Sequence, residues 1–232
     1  MTEFIGVTIS NLKYKYLPLT IKSINSFLRF HDTKLIVYII GDNELPIHDD
    51  RIEIIRLPDV KYDDSKFNLK YPEHRSIIDI FIEKLLCLTR HHNFIFFEND
   101  VFFLKNMDDI WCNMNDGVGF VPVNNELMNT GLILAKNTDM LNYTKDDIFR
   151  YFSEKTILHP CDEFLTTWCS TCTNRLDDDA CILTLADYKN KVNLLNTTCH
   201  SVHCVDGKRF LLNPQNTRNM PPFMLELIKK IQ

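Results

Sequence analysis

Glycine is scarce in this chain, 6 among 232 residues, which excludes a fibrous, collagen-like repeat. Long hydrophobic runs are missing as well. Apolar runs such as Phe94–Phe97 fall far short of the twenty or so residues that span a bilayer. Positive charge is not in excess: 26 Lys and Arg stand against 31 Asp and Glu, a net charge of −5, which argues against broad salt-driven nucleic-acid binding. The opening MTEFIGVTIS has neither a basic segment nor an apolar stretch like those of a secretory leader, so the expectation is a cytoplasmic protein. What is present is ordinary for a globular domain: 45% hydrophobic and 25% charged residues, enough for one α/β core.

Eight cysteines require a redox reading. In a chain without an export signal they are expected as reduced thiols packed as small hydrophobes. Cys169 and Cys172 spell C-x-x-C, with Cys161, Cys181, Cys199 and Cys204 in the same third of the chain. A second C-x-x-C pair, which a common zinc pattern requires, is absent. The sequons at Asn142 and Asn196 carry no meaning outside the secretory pathway.

Periodicity predicts the order of elements. Phe4–Ile9 and Leu35–Ile40 read as strands, and between them Leu17, Ile21, Ile24, Phe27 and Leu28 recur at helical spacing. Such a strand–helix–strand unit makes parallel neighbours. Arg51–Leu57 alternates and reads as a third strand; Tyr62–Glu73 has no clear period and reads as loop. Ile77, Ile78, Phe81, Leu85 and Leu88 mark a helix running to about Arg90, ahead of a buried strand at Asn93–Phe97. A turn and short helix are expected at Lys105–Trp111, and strands at Gly119–Val123 and Gly131–Ala135. Helices follow near Asp146–Phe152, Asp162–Cys172 and Pro222–Ile231. No repeat or linker divides the chain.

Chemistry concentrates at Glu98-Asn99-Asp100, a polar triplet between the apolar runs FIFF and VFFL. Ligands of α/β sheets gather outside the carboxyl ends of strands, where this triplet falls. Alternate residues of an extended segment share a side, so Glu98 and Asp100 are expected to converge while Asn99 points away. Two facing carboxylates repel unless a cation lies between them, and oxygen ligands suit Mn²⁺ or Mg²⁺. The plainer alternative is a strand-end turn with solvated acids.

The run from Phe97 to Trp111, FENDVFFLKNMDDIW, resembles the LDAD-x-LVL-x-N-x-DDLF/W stretch of family 8 glycosyltransferases, the glycogenin and lipopolysaccharide galactosyltransferase group. Four further segments follow in that family's order. Glu83-Lys84-Leu85 is similar to its T/S-K-L, and Met128–Ile133 (MNTGLI) to its F-N-S-G-V. Pro160–Leu165 (PCDEFL) is similar to x-x-D-Q-x-x-L, and His203–Lys208 to H-x-x-G-x-x-K.

The resemblance implies a GT-A fold: a mixed, mostly parallel sheet flanked by helices, binding a nucleotide-sugar across its carboxyl edge. It implies one domain over 1–232, with residues 1–111 as a nucleotide-binding half and 112–232 as an acceptor-binding half. Glu98 and Asp100 then stand for the DxD metal ligands and His203 for the third. Lys208 stands for the lysine at the diphosphate, and Lys84 for the basic residue beside the donor sugar. Thr8, Ser10 and Asn11, with Asn99, fall where base and ribose are held; Asn129 and Asp162 would face donor sugar and acceptor. The implied partners are a UDP-linked sugar and a glycan or protein acceptor. Imidazole ligation favours Mn²⁺ over Mg²⁺.

Three departures stand out. The first DxD position is Glu98, the family's Gln is Glu163, and the His203–Lys208 interval is one residue short. A carboxylate at Glu163, or at Asp162, could serve as the base of an inverting enzyme, whereas the family is retaining. The expectation is retention. A sugar-phosphate nucleotidyltransferase would need a glycine-rich, basic loop after the first strand, and Thr8–Tyr14 has none. A non-catalytic glycan- or nucleotide-binding GT-A domain is the other rival. Each residue also has a structural alternative: a core imidazole for His203, a solvated lysine for Lys84, a helix cap for Asp162 and a turn for Asn129.

Overall fold

The structure, a computed structural model, describes all residues except 1–3, 14–15, 123–126, 171–172, 178–179, 183–198, 205–207, 213–214, 216–219 and 232. Cys172, the Asn196 sequon and the 205–207 part of the His203–Lys208 motif therefore lie outside the described residues.

The first half alternates strands and helices. β1 (Ile5–Ser10), α1 (Leu17–Phe30), β2 (Leu35–Ile40) and β3 (Ile52–Leu57) follow the predicted order. A single 3₁₀ turn at Asp64–Lys66 and the short α2 (Pro72–Arg75) break up the expected loop before α3 (Ile78–Leu88). Then come β4 (Phe94–Phe97), β5 (Val101–Phe103), α4 (Asp108–Asn113), β6 (Gly117–Pro122) and β7 (Met128–Lys136). The remainder is α5 (Lys145–Glu154), α6 (Pro160–Trp168), β8 (Thr173–Arg175), β9 (Cys181–Ile182), β10 (Ser201–His203), α7 (Lys208–Leu212) and α8 (Pro222–Ile231).

Seven strands form one sheet in the order β3-β2-β1-β4-β7-β6-β8. β3, β2, β1 and β4 are mutually parallel, β7 runs antiparallel between β4 and β6, and β8 is parallel to β6. The sheet thus draws strands from both halves of the chain. A small second sheet, β5-β10-β9, pairs β5 with β10 antiparallel.

Strand alternation sorts the core into two layers. Phe94 and Phe96 of β4 join Ile82, Leu85, Ile148 and Phe164 on the face covered by α3, α5 and α6. Ile95 and Phe97 point the other way, to Ile24 and Phe27 of α1. Both faces of β4 are dry, which is why its sequence is a continuous apolar run. Gly6 lets α1 approach: a side chain there would press on the Phe27 ring. A third cluster, with Phe102, Val202, Leu211, Met224 and Leu227, seats the small sheet against α8.

Trp111 is buried beside Phe4, and Trp168 packs against Tyr143 and Phe164. The described cysteines of the last third are divided among the three clusters. His91 lies beyond the end of α3 and hydrogen-bonds the Tyr38 hydroxyl at 2.9 Å. No described helix is long and apolar enough to cross a membrane.

Candidate active site

The apolar strand β4 ends at Phe97, and the chain turns at once. The Glu98 amide donates to Gly131 O at 2.9 Å, and the Val101 amide closes back on Glu98 O at 3.1 Å. The Ser23 hydroxyl of α1 lies against both carbonyls of this turn, 2.6 Å from Val101 O and 3.1 Å from Glu98 O. The triplet is therefore a turn rather than the extended segment expected from the sequence. Glu98 and Asp100 still converge, because the turn leads into β5, whose partner β10 sets His203 opposite Val101. The Cys204 amide donates to Asp100 O at 2.9 Å and completes the junction.

Ligand atoms of Glu98, Asp100 and His203 lie within 4.8 Å of one another. His203 Nε2 is 3.3 Å from Asp100 Oδ1 and 3.5 Å from Glu98 Oε2. Its Nδ1 faces Asn129 Oδ1 at 3.2 Å, an oxygen that also accepts the Gly131 amide at 2.9 Å. An amide oxygen only accepts, so Nδ1 carries the proton and Nε2 is turned to the carboxylates. Gly131 forms the floor: any β-carbon there would overlap the His203 ring.

The charges balance locally. Burial pulls the His203 imidazole down, but Asp100 and Glu98 outweigh it and bring it up to about 10. Burial raises the Glu98 carboxyl, yet Lys84 and His203 hold it well below the usual carboxylate range. Asp100 is fully buried, and His203 and Lys208 offset that burial so that its carboxyl also stays low. Lys208 Nζ is 2.8 Å from Asp100 Oδ2. Neither Asp100 oxygen, however, has an aligned hydrogen-bond partner among the described residues. A buried carboxylate met as a charge but not by an aligned hydrogen bond, beside one imidazole and a second carboxylate, forms a donor set that fits Mn²⁺.

Behind Glu98 lies a second, drier set. Lys84, 2% exposed, donates to Glu98 Oε1 (2.7 Å), Thr130 O (2.8 Å) and Thr130 Oγ1 (2.9 Å). Burial pushes the ammonium down, but Glu98, with Cys161 and Asp162, keeps it above its ordinary value. Thr130 donates its hydroxyl and its amide to Asp162 Oδ1, at 2.6 and 3.0 Å. Burial raises the Asp162 carboxyl, and Lys84 and Thr130 do not fully offset it.

The other residues singled out from the sequence divide into two groups. Asn99 is half-buried in the turn. Asn11, at the carboxyl end of β1, holds the Lys13 amide on its side chain and the Asn43 side chain on its carbonyl. Thr8 and Ser10 are buried in the framework: Thr8 donates to Phe97 O at 2.7 Å, and Ser10 Oγ accepts the Leu12 amide at 3.0 Å. Glu163 Oε1 accepts the Leu158 and His159 amides, tying down the entry to α6. Asp162 is not the helix cap, since the cap position is His159. Sequence reasoning misses Ser23, whose contacts lie 75 and 78 residues away. It also misses the Thr130 hydroxyl, although Thr130 stands inside a quoted motif.

No family model matches the chain, and no curated protein sequence matches it. Solved structures do. The chain is similar to the galactosyltransferase LgtC, solved in complex with donor and acceptor sugar analogs, at TM-score 0.63 and 10% identity. That match covers 98% of this chain and 100% of LgtC. It is similar to mouse xyloside xylosyltransferase 1 at TM-score 0.53 and 9% identity, over 86% and 96% of the two chains. It is similar to the glycosyltransferase GlyE of Streptococcus pneumoniae at TM-score 0.58 and 12% identity, over 88% of this chain and 54% of that one. The architecture is the GT-A fold, and it resembles that of the family 8 enzyme LgtC.

Proposed function

We propose that the chain is a metal-dependent, retaining glycosyltransferase that moves a hexose or pentose from a UDP-linked sugar to a glycan or protein acceptor. The observation that carries this reading is the convergence of Glu98, Asp100 and His203 at the end of β4, with Lys208 beside them. Ligands of open α/β sheets collect at this edge. In the same reading, residues 1–111 hold the nucleotide and 112–232 the acceptor.

A divalent cation held by Glu98, Asp100 and His203 would supply Lewis-acid neutralisation of the departing diphosphate. Lys208, 38% exposed, adds a second positive charge that can meet the phosphates as the glycosidic bond breaks. Asn11 and Asn99, with the framework of Thr8 and Ser10, border the place for base and ribose. Asn129 and Asp162 face the sugar. Lys84 acts from behind, holding Glu98 in place with protons already committed to protein oxygens. Glu163 supports retention, because one carboxylate oxygen is occupied by two backbone amides of the α6 entry.

Calorimetry of UDP with Mn²⁺, joined to UDP release from a panel of UDP-sugars, tests the proposal. Binding and release are expected only with the metal, and Asp100→Ala should abolish both by removing charge and geometry together. Unchanged UDP affinity in Asp100→Ala, or release indifferent to chelator, would sink the metal-dependent reading.

A further inference from the structure

Thr130 makes four hydrogen bonds with two charged side chains, and its chemistry allows only one direction for each. Lys84 Nζ is donor-only, so the Thr130 hydroxyl must accept from it and can give its single proton only to Asp162. The Thr130 amide donates to the same Asp162 oxygen, and the Thr130 carbonyl accepts from the same ammonium. All three Lys84 protons are thereby assigned, to Glu98 Oε1, Thr130 O and Thr130 Oγ1. Asp162 Oδ1 is held by two donors at 2.6 and 3.0 Å, while Oδ2 has no hydrogen-bond partner among the described residues. Thr130 itself is buried, 2% exposed.

We propose that Thr130 is a positioning residue: its hydroxyl sets the Asp162 carboxylate with Oδ2 presented to the donor sugar. The inference rests on the glycosyltransferase reading above and deepens it by separating sugar recognition from nucleotide recognition. Asp162 is the sugar-side end of this chain of contacts and Glu98 the metal-side end. Loss of the hydroxyl frees the Asp162 carboxylate to rotate, but leaves Lys84 bound to Glu98 and to the Thr130 carbonyl. The sugar should therefore be recognised less well, and the nucleotide as before.

The test compares UDP with UDP-glucose, UDP-galactose and UDP-xylose by calorimetry in Mn²⁺, on wild type, Thr130→Val and Thr130→Ser. For the sugar that the wild type binds most tightly, Thr130→Val should lose about tenfold in affinity, the scale of one hydrogen bond to a charged group. UDP itself should bind within about twofold, and Thr130→Ser should restore the UDP-sugar affinity. Should Thr130→Val not fold, Thr130→Ala and Thr130→Ser serve instead, since they differ from each other only in the hydroxyl. A wild type that binds neither UDP nor the UDP-sugars removes the glycosyltransferase reading, and this assignment with it. A wild type that binds them, with both ligands weakened equally or neither weakened on loss of the hydroxyl, overturns the Thr130 assignment alone.

Discussion

Lys84 and Lys208 each meet one carboxylate of the same cluster, at 2.7 and 2.8 Å, yet their surroundings differ sharply. Lys84 comes from α3 on the large sheet, is 2% exposed and has three acceptors for three protons. Lys208 comes from α7, is 38% exposed and meets Asp100 as a charge, without an aligned hydrogen bond. A saturated, buried cation can only hold what it already touches. A partly solvated one can exchange its partner for a ligand at modest cost. The same residue type therefore serves as an anchor at one end of the site and as a candidate ligand group at the other.

Breaking this contrast gives the largest expected effect. Lys84→Met strips the buried donors from Glu98 and Thr130 and should cost roughly 3 kcal/mol of folding stability, since Glu98 keeps part of its surface in water. Lys208→Met should cost about 1 kcal/mol or less, because His203 still faces Asp100. Its turnover should instead fall about 100-fold, as expected when charge stabilisation of a leaving group is lost. Urea denaturation and steady-state kinetics on both variants check the contrast. Equal stability losses would erase it.

A smaller effect is expected at the floor of the cluster. Gly131→Ala puts a methyl where the His203 ring lies, so the ring must leave its contact with Asn129. Mn²⁺ affinity should drop about tenfold or more, the scale seen when the outer partner of a ligating imidazole is lost. Electron paramagnetic resonance of free Mn²⁺ reads this without any turnover. Affinity equal to wild type would mean that His203 is not a ligand.

The smallest effect is expected at Glu163. A glutamine there can still accept the Leu158 and His159 amides through its side-chain oxygen. Glu163→Gln should keep activity within about tenfold of wild type, whereas loss of a general base costs about 10²–10⁴-fold. Proton NMR of the product should show the donor's anomeric configuration retained. A dead variant with an inverted product would identify Glu163 as a base and reverse the stereochemical reading.

Strong patterns were legible at the level of elements. The apolar run Leu35–Ile40 and the amphipathic Pro222–Ile231 are observed with the bounds their residues predict. Asp162–Cys172 is instead a helix over Pro160–Trp168, since Pro160 suits a first helical turn. The strands Val101–Phe103, Thr173–Arg175 and Ser201–His203 have no period long enough to read. They are strands because a partner lies beside them, as Val101 does beside His203. The same divide runs through the site. Glu98 and Asp100 stand out as acids between apolar runs, while His203 is picked out only by resemblance. The Ser23 hydroxyl on the turn has no local signal at all.

What the sequence by itself determined is the local and periodic part: which faces are dry, that strands and helices alternate, and that a pair of acids ends the central strand. These follow from burial, which acts on every residue according to its own side chain and its spacing from near neighbours. Only the tertiary structure decided that the acids turn rather than run straight, that β10 carries His203 to them, and that Lys84 is an anchor while Lys208 faces solvent. Those outcomes depend on pairings across tens of residues, such as Thr130 with Lys84 and with Asp162. Each such pairing is stable only when the sheet brings both partners out of water together, so its energy belongs to the assembled fold and leaves no mark on either segment alone.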